Sequence, residues 1–230
     1  MKNRVLLLMT IIGIAFSPNV SAQPNTKVSD FNSIKSDGPF NLFIKATGTE
    51  SIRLDVDDDL LGDIQINVTE HRLKLRLKKK WSPELQNKKA NIYITTKNIN
   101  YIENAGSGRI EVEGGLTAND LSLILSGSGA FKTAIKSNNV SVKLTGSGSI
   151  TINGEADNAN LKITGSGQIL GDELKAKTVS AAITGSGNIF VTANESISGY
   201  ISASGNVVYK GTATVTGSRY TGSGRIVKKK

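Results

Sequence analysis

Leu161-Lys162-Ile163-Thr164-Gly165-Ser166-Gly167-Gln168-Ile169 sets apolar against polar residues on both sides of a Gly-Ser-Gly triplet. A period of two marks a β-strand with one buried face. The triplet marks a turn between two such strands. The unit recurs at Gly106-Ser107-Gly108, Gly127-Ser128-Gly129, Gly146-Ser147-Gly148, Gly185-Ser186-Gly187 and Gly222-Ser223-Gly224, with Ala203-Ser204-Gly205 as a degenerate copy. Successive triplets stand 21, 19, 19, 20, 18 and 19 residues apart.

The flanking residues fall into columns. Two places after each triplet stand Ile110, Phe131, Ile150, Ile169, Ile189, Val207 and Ile226. Two places before the later ones stand Leu125, Leu144, Ile163, Ile183, Ile201 and Tyr220. A meander does not require equal repeats, whereas a solenoid aligns equivalent residues coil upon coil. One coil cannot bury its own apolar face, so several must stack. The pattern therefore predicts a parallel β-solenoid of about 20-residue coils over residues 106–230. Each coil is expected to hold two strands, with a second turn near Gly114-Gly115, Gly154 or Gly211. The triplet glycines are read as structural corners, where coils approach too closely for a side chain. The column Leu123, Val142, Leu161, Ala181, Gly199 shrinks along the chain and predicts a narrowing coil.

Residues 23–105 are expected to begin or cap the same sheets, giving one domain over 28–227. Phe40, Leu42 and Ile44 alternate with polar neighbours, as do Ile52, Leu54 and Val56, and Leu73, Leu75 and Leu77. Turns are expected at Asp37-Gly38-Pro39, Gly48, Asp57–Gly62 and Glu70-His71. Solenoid ends must be covered or charged to prevent edge pairing. The N-terminal strands and the Lys228-Lys229-Lys230 run are candidates for that task.

Residues 1–22 have the form of a signal peptide. Lys2 and Arg4 precede an apolar run from Val5 to Phe16, and Val20-Ser21-Ala22 fits a small-residue cleavage site. The run is shorter than the roughly 20 residues a spanning helix needs. No later stretch is long and apolar enough for one. Loss of a leader with two cations and no acids lowers the formal charge from +9 to +7. An exported basic chain points to an anionic glycan or cell-surface polysaccharide and away from nucleic acid.

Catalytic chemistry has little to work with. The absence of cysteine excludes disulfides, thiolate nucleophiles and cysteine–zinc sites, and the single His71 excludes a histidine pair. The triplets lack the lysine and Ser/Thr of a phosphate loop. The repeated aspartate of a calcium β-roll is missing too. Glu111 and Glu113 could share one strand face, but no repeat supplies a second acidic pair. No catalytic residue, metal or cofactor is expected. Two features are candidates for a ligand face. One is the basic, aromatic loop of Lys78, Lys79, Lys80, Trp81, Lys88 and Lys89. The other is a hydroxyl ladder of Thr145, Thr164 and Thr184 before successive triplets.

The Ala/Thr-Gly-Ser-Gly repeats follow an N-terminal segment Phe31-x-x-Ile34…Gly38-x-Phe40-x-Leu42. Together they resemble the putative auto-transporter adhesin head GIN domain family of Bacteroidetes-type bacteria, over about residues 28 to 227. The basic Trp81 loop fits that family as well. The resemblance implies a right-handed, pectin-lyase-like β-helix without catalytic residues and with an adhesive role. The chain has neither the translocator barrel nor the heptad stalk of an autotransporter. The leading expectation is a non-enzymatic, exported cell-envelope adhesion module in the periplasm or at the surface of a Gram-negative cell. The alternatives are a periplasmic assembly protein packing through solenoid ends and a degenerate carbohydrate-active enzyme.

Overall fold

The computed structural model describes residues 25–26, 28–78 and 88–229. The leader at 1–22 and Lys230 lie outside the described residues. The chain is a parallel β-solenoid of about seven turns. Its strands are β1 (Asn25–Thr26), β2 (Ser33–Asp37), β3 (Asn41–Ala46), β4 (Ser51–Val56), β5 (Ile64–Thr69), β6 (Arg72–Leu77), β7 (Ala90–Thr96), β8 (Tyr101–Ala105) and β9 (Arg109–Glu113). The long coils follow as β10 (Leu116–Gly127), β11 (Ala130–Gly146), β12 (Ser149–Gly165), β13 (Gln168–Gly185) and β14 (Asn188–Ser202). The series ends in β15 (Asn206–Lys210), β16 (Thr214–Val215), β17 (Arg219–Thr221) and β18 (Ile226–Lys228).

Stacking is parallel and in register. Leu125, Leu144, Ile163, Ile183 and Ile201 pair rung to rung, and so do Ile110, Phe131, Ile150, Ile169, Ile189 and Val207. All of them are buried. The corners stack too. The carbonyl of Gly146 accepts the N–H groups of both Ser166 and Gly167 at 3.0 Å, and Gly165 does the same for Ser186 and Gly187 one coil later. The ladder therefore runs around the bend without a break, which satisfies polar groups that a tight corner would otherwise strand.

Each coil differs from the expected two-strand unit. β11 is one strand of 17 residues. Its inward residues are Phe131, Thr133, Ile135 and Ser137, then Val140, Val142 and Leu144. The step of three from Ser137 to Val140 leaves Asn138 and Asn139 both exposed and makes a further corner. Gly114, Gly115, Gly154 and Gly211 do have positive φ, so the chain also bends where a second turn was expected. Between β11 and β12 the parallel pairing runs through this bend unbroken, whereas the register shifts there between β12 and β13 and between β13 and β14. The coil need not narrow where its column becomes small. Ile226 Cδ1 lies 3.1 Å from where a Cβ on Gly199 would stand, so a side chain from the last strand occupies the space.

The N-terminal strands add rungs and then close the stack. β2 pairs parallel with β8, and β3 with β9. Beyond them the direction reverses: β4 runs antiparallel to β7, and β5 antiparallel to β6. Glu70 and His71 have φ of +53° and +56° and form the tight β5–β6 turn. The Asp57–Gly62 segment is a single helical turn, α1 (Asp58–Leu61), whose Leu60 is buried. Asn104 stands in the inner column beside Leu125 and Ser36. Its amide donates to the Gly108 carbonyl at 3.1 Å and holds the first corner.

Candidate functional site

Lys79, Lys80 and Trp81 of the basic loop lie outside the described residues. The described lysines that flank them are engaged. Lys88 pairs with Asp59 at 2.7 Å and Lys89 with Asp55 at 2.6 Å. Those hydrogen bonds raise both ammonium pKa values above the usual lysine range. Lys78 Nζ donates to the Gly62 carbonyl at 2.7 Å. The acidic stretch Asp55–Asp59, distant in sequence from Lys88 and Lys89, therefore neutralises part of the loop's positive charge.

The hydroxyl ladder exists as a register. Thr145, Thr164, Thr184, Ser202 and Thr221 are successive partners on β11, β12, β13, β14 and β17. Ser126 extends it toward β10. No side-chain hydrogen bond links Thr145, Thr164 and Thr184; Thr164 and Thr184 are exposed and Thr145 is half-buried. Glu111 and Glu113 share a face, and each meets a lysine: Glu113 pairs with Lys45 at 2.6 Å and Glu111 with Lys132 at 3.8 Å. Among the described residues no group of three or more His, Cys, Asp and Glu side chains could hold a metal ion.

The corner at Asn138-Asn139 is a site that sequence reasoning missed. Asn139 Nδ2 donates to Asp120 at 2.8 Å, and Asn158 Nδ2 donates to Asn139 Oδ1 at 3.0 Å. Beside this ladder runs a second, with Asn138 Nδ2 donating to Asn119 Oδ1 at 2.6 Å. Hydrogen bonds from Asn139 and Asn119 hold the Asp120 carboxyl below the usual aspartate range. The signal was present in the sequence as Asn119-Asp120, Asn138-Asn139 and Asp157-Asn158, each pair nineteen residues from the next.

Two grooves flank this corner. One, of about 580 Å³, is lined by Lys136, Lys175, Lys177, Glu155 and Asp157 among others, with Lys177 paired to Asp157 at 2.6 Å. The other, of about 630 Å³, holds the Asp120–Asn139–Asn158 ladder and the outward column Tyr101, Ser122, Ser141, Asn160 and Ser180. Tyr101 closes its N-terminal end and donates its hydroxyl to Glu103 at 2.7 Å. Burial, then that hydrogen bond, pushes the Tyr101 phenol up to about 12. Burial alone would raise Glu103, but hydrogen bonds from Tyr101 and Lys35 outweigh it and hold the carboxyl below its usual range. A further outward column, Leu170, Phe190, Val208 and Val227, is apolar.

The model of the family described as putative auto-transporter adhesin, head GIN domain, matches residues 30–213. The chain belongs to that family. The fold is shared with the crystal structure of a putative adhesin from Bacteroides fragilis. That structure is 27% identical, with 90% of this chain and 95% of that one covered and a TM-score of 0.83. A putative lipid binding protein from Parabacteroides distasonis shares the fold at 24% identity, with 90% and 96% covered and a TM-score of 0.72. A putative adhesin from Parabacteroides merdae shares it at 21% identity, with 90% and 95% covered and a TM-score of 0.69. No curated protein matches the chain. Among the described residues, no helix of this GIN-domain protein is long and apolar enough to cross a membrane.

Proposed function

We propose that this GIN-domain protein is a non-enzymatic, exported module that binds the cell envelope through a face of its solenoid. The carrying observation is the in-register stacking of outward polar side chains over successive coils, from Ser126 to Thr221 and from Asp120 to Asn158. A rigid ladder presents the same group at each ~4.8 Å step, which suits a repetitive polymer better than a single small substrate. The acidic residues most suited to catalysis, Glu111 and Glu113, sit in ion pairs. Membership of an adhesin family and the leader-like residues 1–22 support export to the periplasm or surface.

The test is binding of purified protein to isolated envelopes and intact cells, with a non-repetitive exported protein of equal charge as control. Binding above that control is expected, and parity with it refutes the reading. Assembly through the solenoid end is a second reading. It is favoured by the clustering on the last coils of Tyr200, Val215, Tyr220 and Val227, the exposed large hydrophobic residues among those described. Light scattering at high concentration that shows only monomer counts against it.

A further inference from the structure

We propose that the groove beside the amide corner binds an uncharged polysaccharide laid along the stacking axis. This names the ligand class for the envelope-binding reading and rests on it. The groove lining contains neither lysine nor arginine, and its one charged group is Asp120. That carboxylate already accepts hydrogen bonds from Asn139 and Asn119. An anionic sugar lying along the groove would meet a carboxylate in its lining, and the guanidinium at its end, Arg72, is engaged over the Tyr101 ring at 5.1 Å. A neutral sugar would meet amides and hydroxyls, which both donate and accept as sugar hydroxyls do. The neighbouring groove contains Lys136, Lys175 and Lys177, so the neutrality is particular to this one.

The groove also keeps free hydrogen-bonding capacity. A side-chain amide has two N–H donors and an oxygen with two lone pairs. Asn139 and Asn158 each use one donor in the ladder, and Asn158 Oδ1 accepts no hydrogen bond within the protein. Ser122, Ser141, Asn160 and Ser180 point outward in one column, and their side chains form no hydrogen bonds with the rest of the protein. Desolvating such groups against a ligand that replaces their water partners costs little, and an apolar ligand would leave them unsatisfied.

The groove spans β8, β10, β11, β12 and β13, four steps of ~4.8 Å or about 19 Å in all. An extended pyranose chain advances by a similar distance per ring, so its rings can fall into step with the rungs. The groove's volume lies in the range of specific ligand sites. Its N-terminal end is closed by the Tyr101 ring, oriented by the hydroxyl bond to Glu103. Such a ring offers an apolar face to the C–H side of a terminal sugar.

The experiment uses the purified full chain against immobilised dextran, mannan and laminarin as neutral probes, and polygalacturonate and heparin as anionic ones. Retention of at least one neutral polymer, unchanged in high salt, is expected. Ser141→Trp fills the middle of the groove from an exposed position and should abolish that retention. Asn153→Trp, exposed on β12 outside both grooves and the hydroxyl ladder, should leave it intact. The paired change Asn139→Ala with Asn158→Ala removes donors without adding bulk and should weaken binding about tenfold. It keeps the test open if the tryptophan variant fails to fold. Retention of anionic polymers alone, weakened by salt, overturns the proposal. So do a complete lack of neutral binding and neutral binding indifferent to both groove variants. In each of those cases, persistent binding to whole envelopes leaves the broader function standing, whereas its loss in the unmodified protein removes both.

Discussion

Replacing Gly165 by alanine tests the corner geometry directly. Gly165 has φ of +123°, and a Cβ built there would stand 2.5 Å from the carbonyl oxygen of Gly146 on the coil below. That oxygen accepts hydrogen bonds from Ser166 and Gly167. The backbone strain costs about 1–3 kcal/mol. Displacing the carbonyl disrupts two hydrogen bonds of about 1 kcal/mol each. The expected loss is therefore about 3–5 kcal/mol. Three other glycines separate the contributions. Gly167 has no positive φ but would place its Cβ 2.6 Å from Leu144 Cδ2 and 2.5 Å from the Gly148 oxygen, which accepts the Gln168 N–H, so its alanine variant should lose about 1–3 kcal/mol from overpacking and about 1 kcal/mol from that one hydrogen bond, without backbone strain. Gly48 has φ of +81° with nothing within 4 Å, and should lose only the strain, about 1–2 kcal/mol. Gly62 has φ of −69° and open space, so alanine there should stabilise by about 0.4–1 kcal/mol through the unfolded chain. Guanidinium unfolding followed by circular dichroism ranks the four. If Gly165→Ala costs no more than Gly48→Ala, φ alone matters and the close approach of coils is not what selects glycine.

Two further outcomes follow from burial and charge. Ile163→Asp places an unpaired carboxylate in a fully buried column and should cost more than about 4 kcal/mol, while Lys162→Glu, exposed on the same strand, should stay within about 0.5 kcal/mol. Equal losses in thermal unfolding would contradict the inward register. Burial pushes Glu50 up, but hydrogen bonds from Lys97 and from the backbone of Phe31 and Asp30 outweigh it, so its folded pKa is depressed. A depressed carboxylate contributes stability that is full above its unfolded pKa of about 4.3 and is lost as pH falls through the folded value. The melting temperature should thus decline below about pH 4.3, and Glu50→Gln should flatten that decline while lowering stability at pH 7. An unchanged slope in the variant would refute the assignment.

Much of the architecture was legible because it rests on local pattern. The alternation around Gly165-Ser166-Gly167 fixes which side chains face inward, and equal spacing of triplets demands that coils stack. The third corner was harder to see, although Phe131 and Val140 are an odd number of residues apart and cannot lie on one uninterrupted alternation. Attention to glycine turns hid it, since Asn138 and Asn139 bend the chain without glycine. The outward apolar column of Leu170, Phe190, Val208 and Val227 is hidden for a similar reason: period two gives two faces, and the more apolar of them already accounts for the core.

The sequence by itself determined the repeat, the strand period, the inward residues and the need for glycine at the triplets, because these depend on backbone sterics and on burial that one coil reports for all. Only the tertiary structure decided which surface is free to act. Lys88 and Lys89 follow Trp81 by only seven and eight residues, yet they pair with Asp59 and Asp55, which the fold brings from some thirty residues away. Asp120, Asn139 and Asn158 are unremarkable polar residues until parallel stacking sets them one rung apart and joins their amides into a ladder. Pairing between distant residues depends on the path of the whole coil, and a period of two does not specify that path.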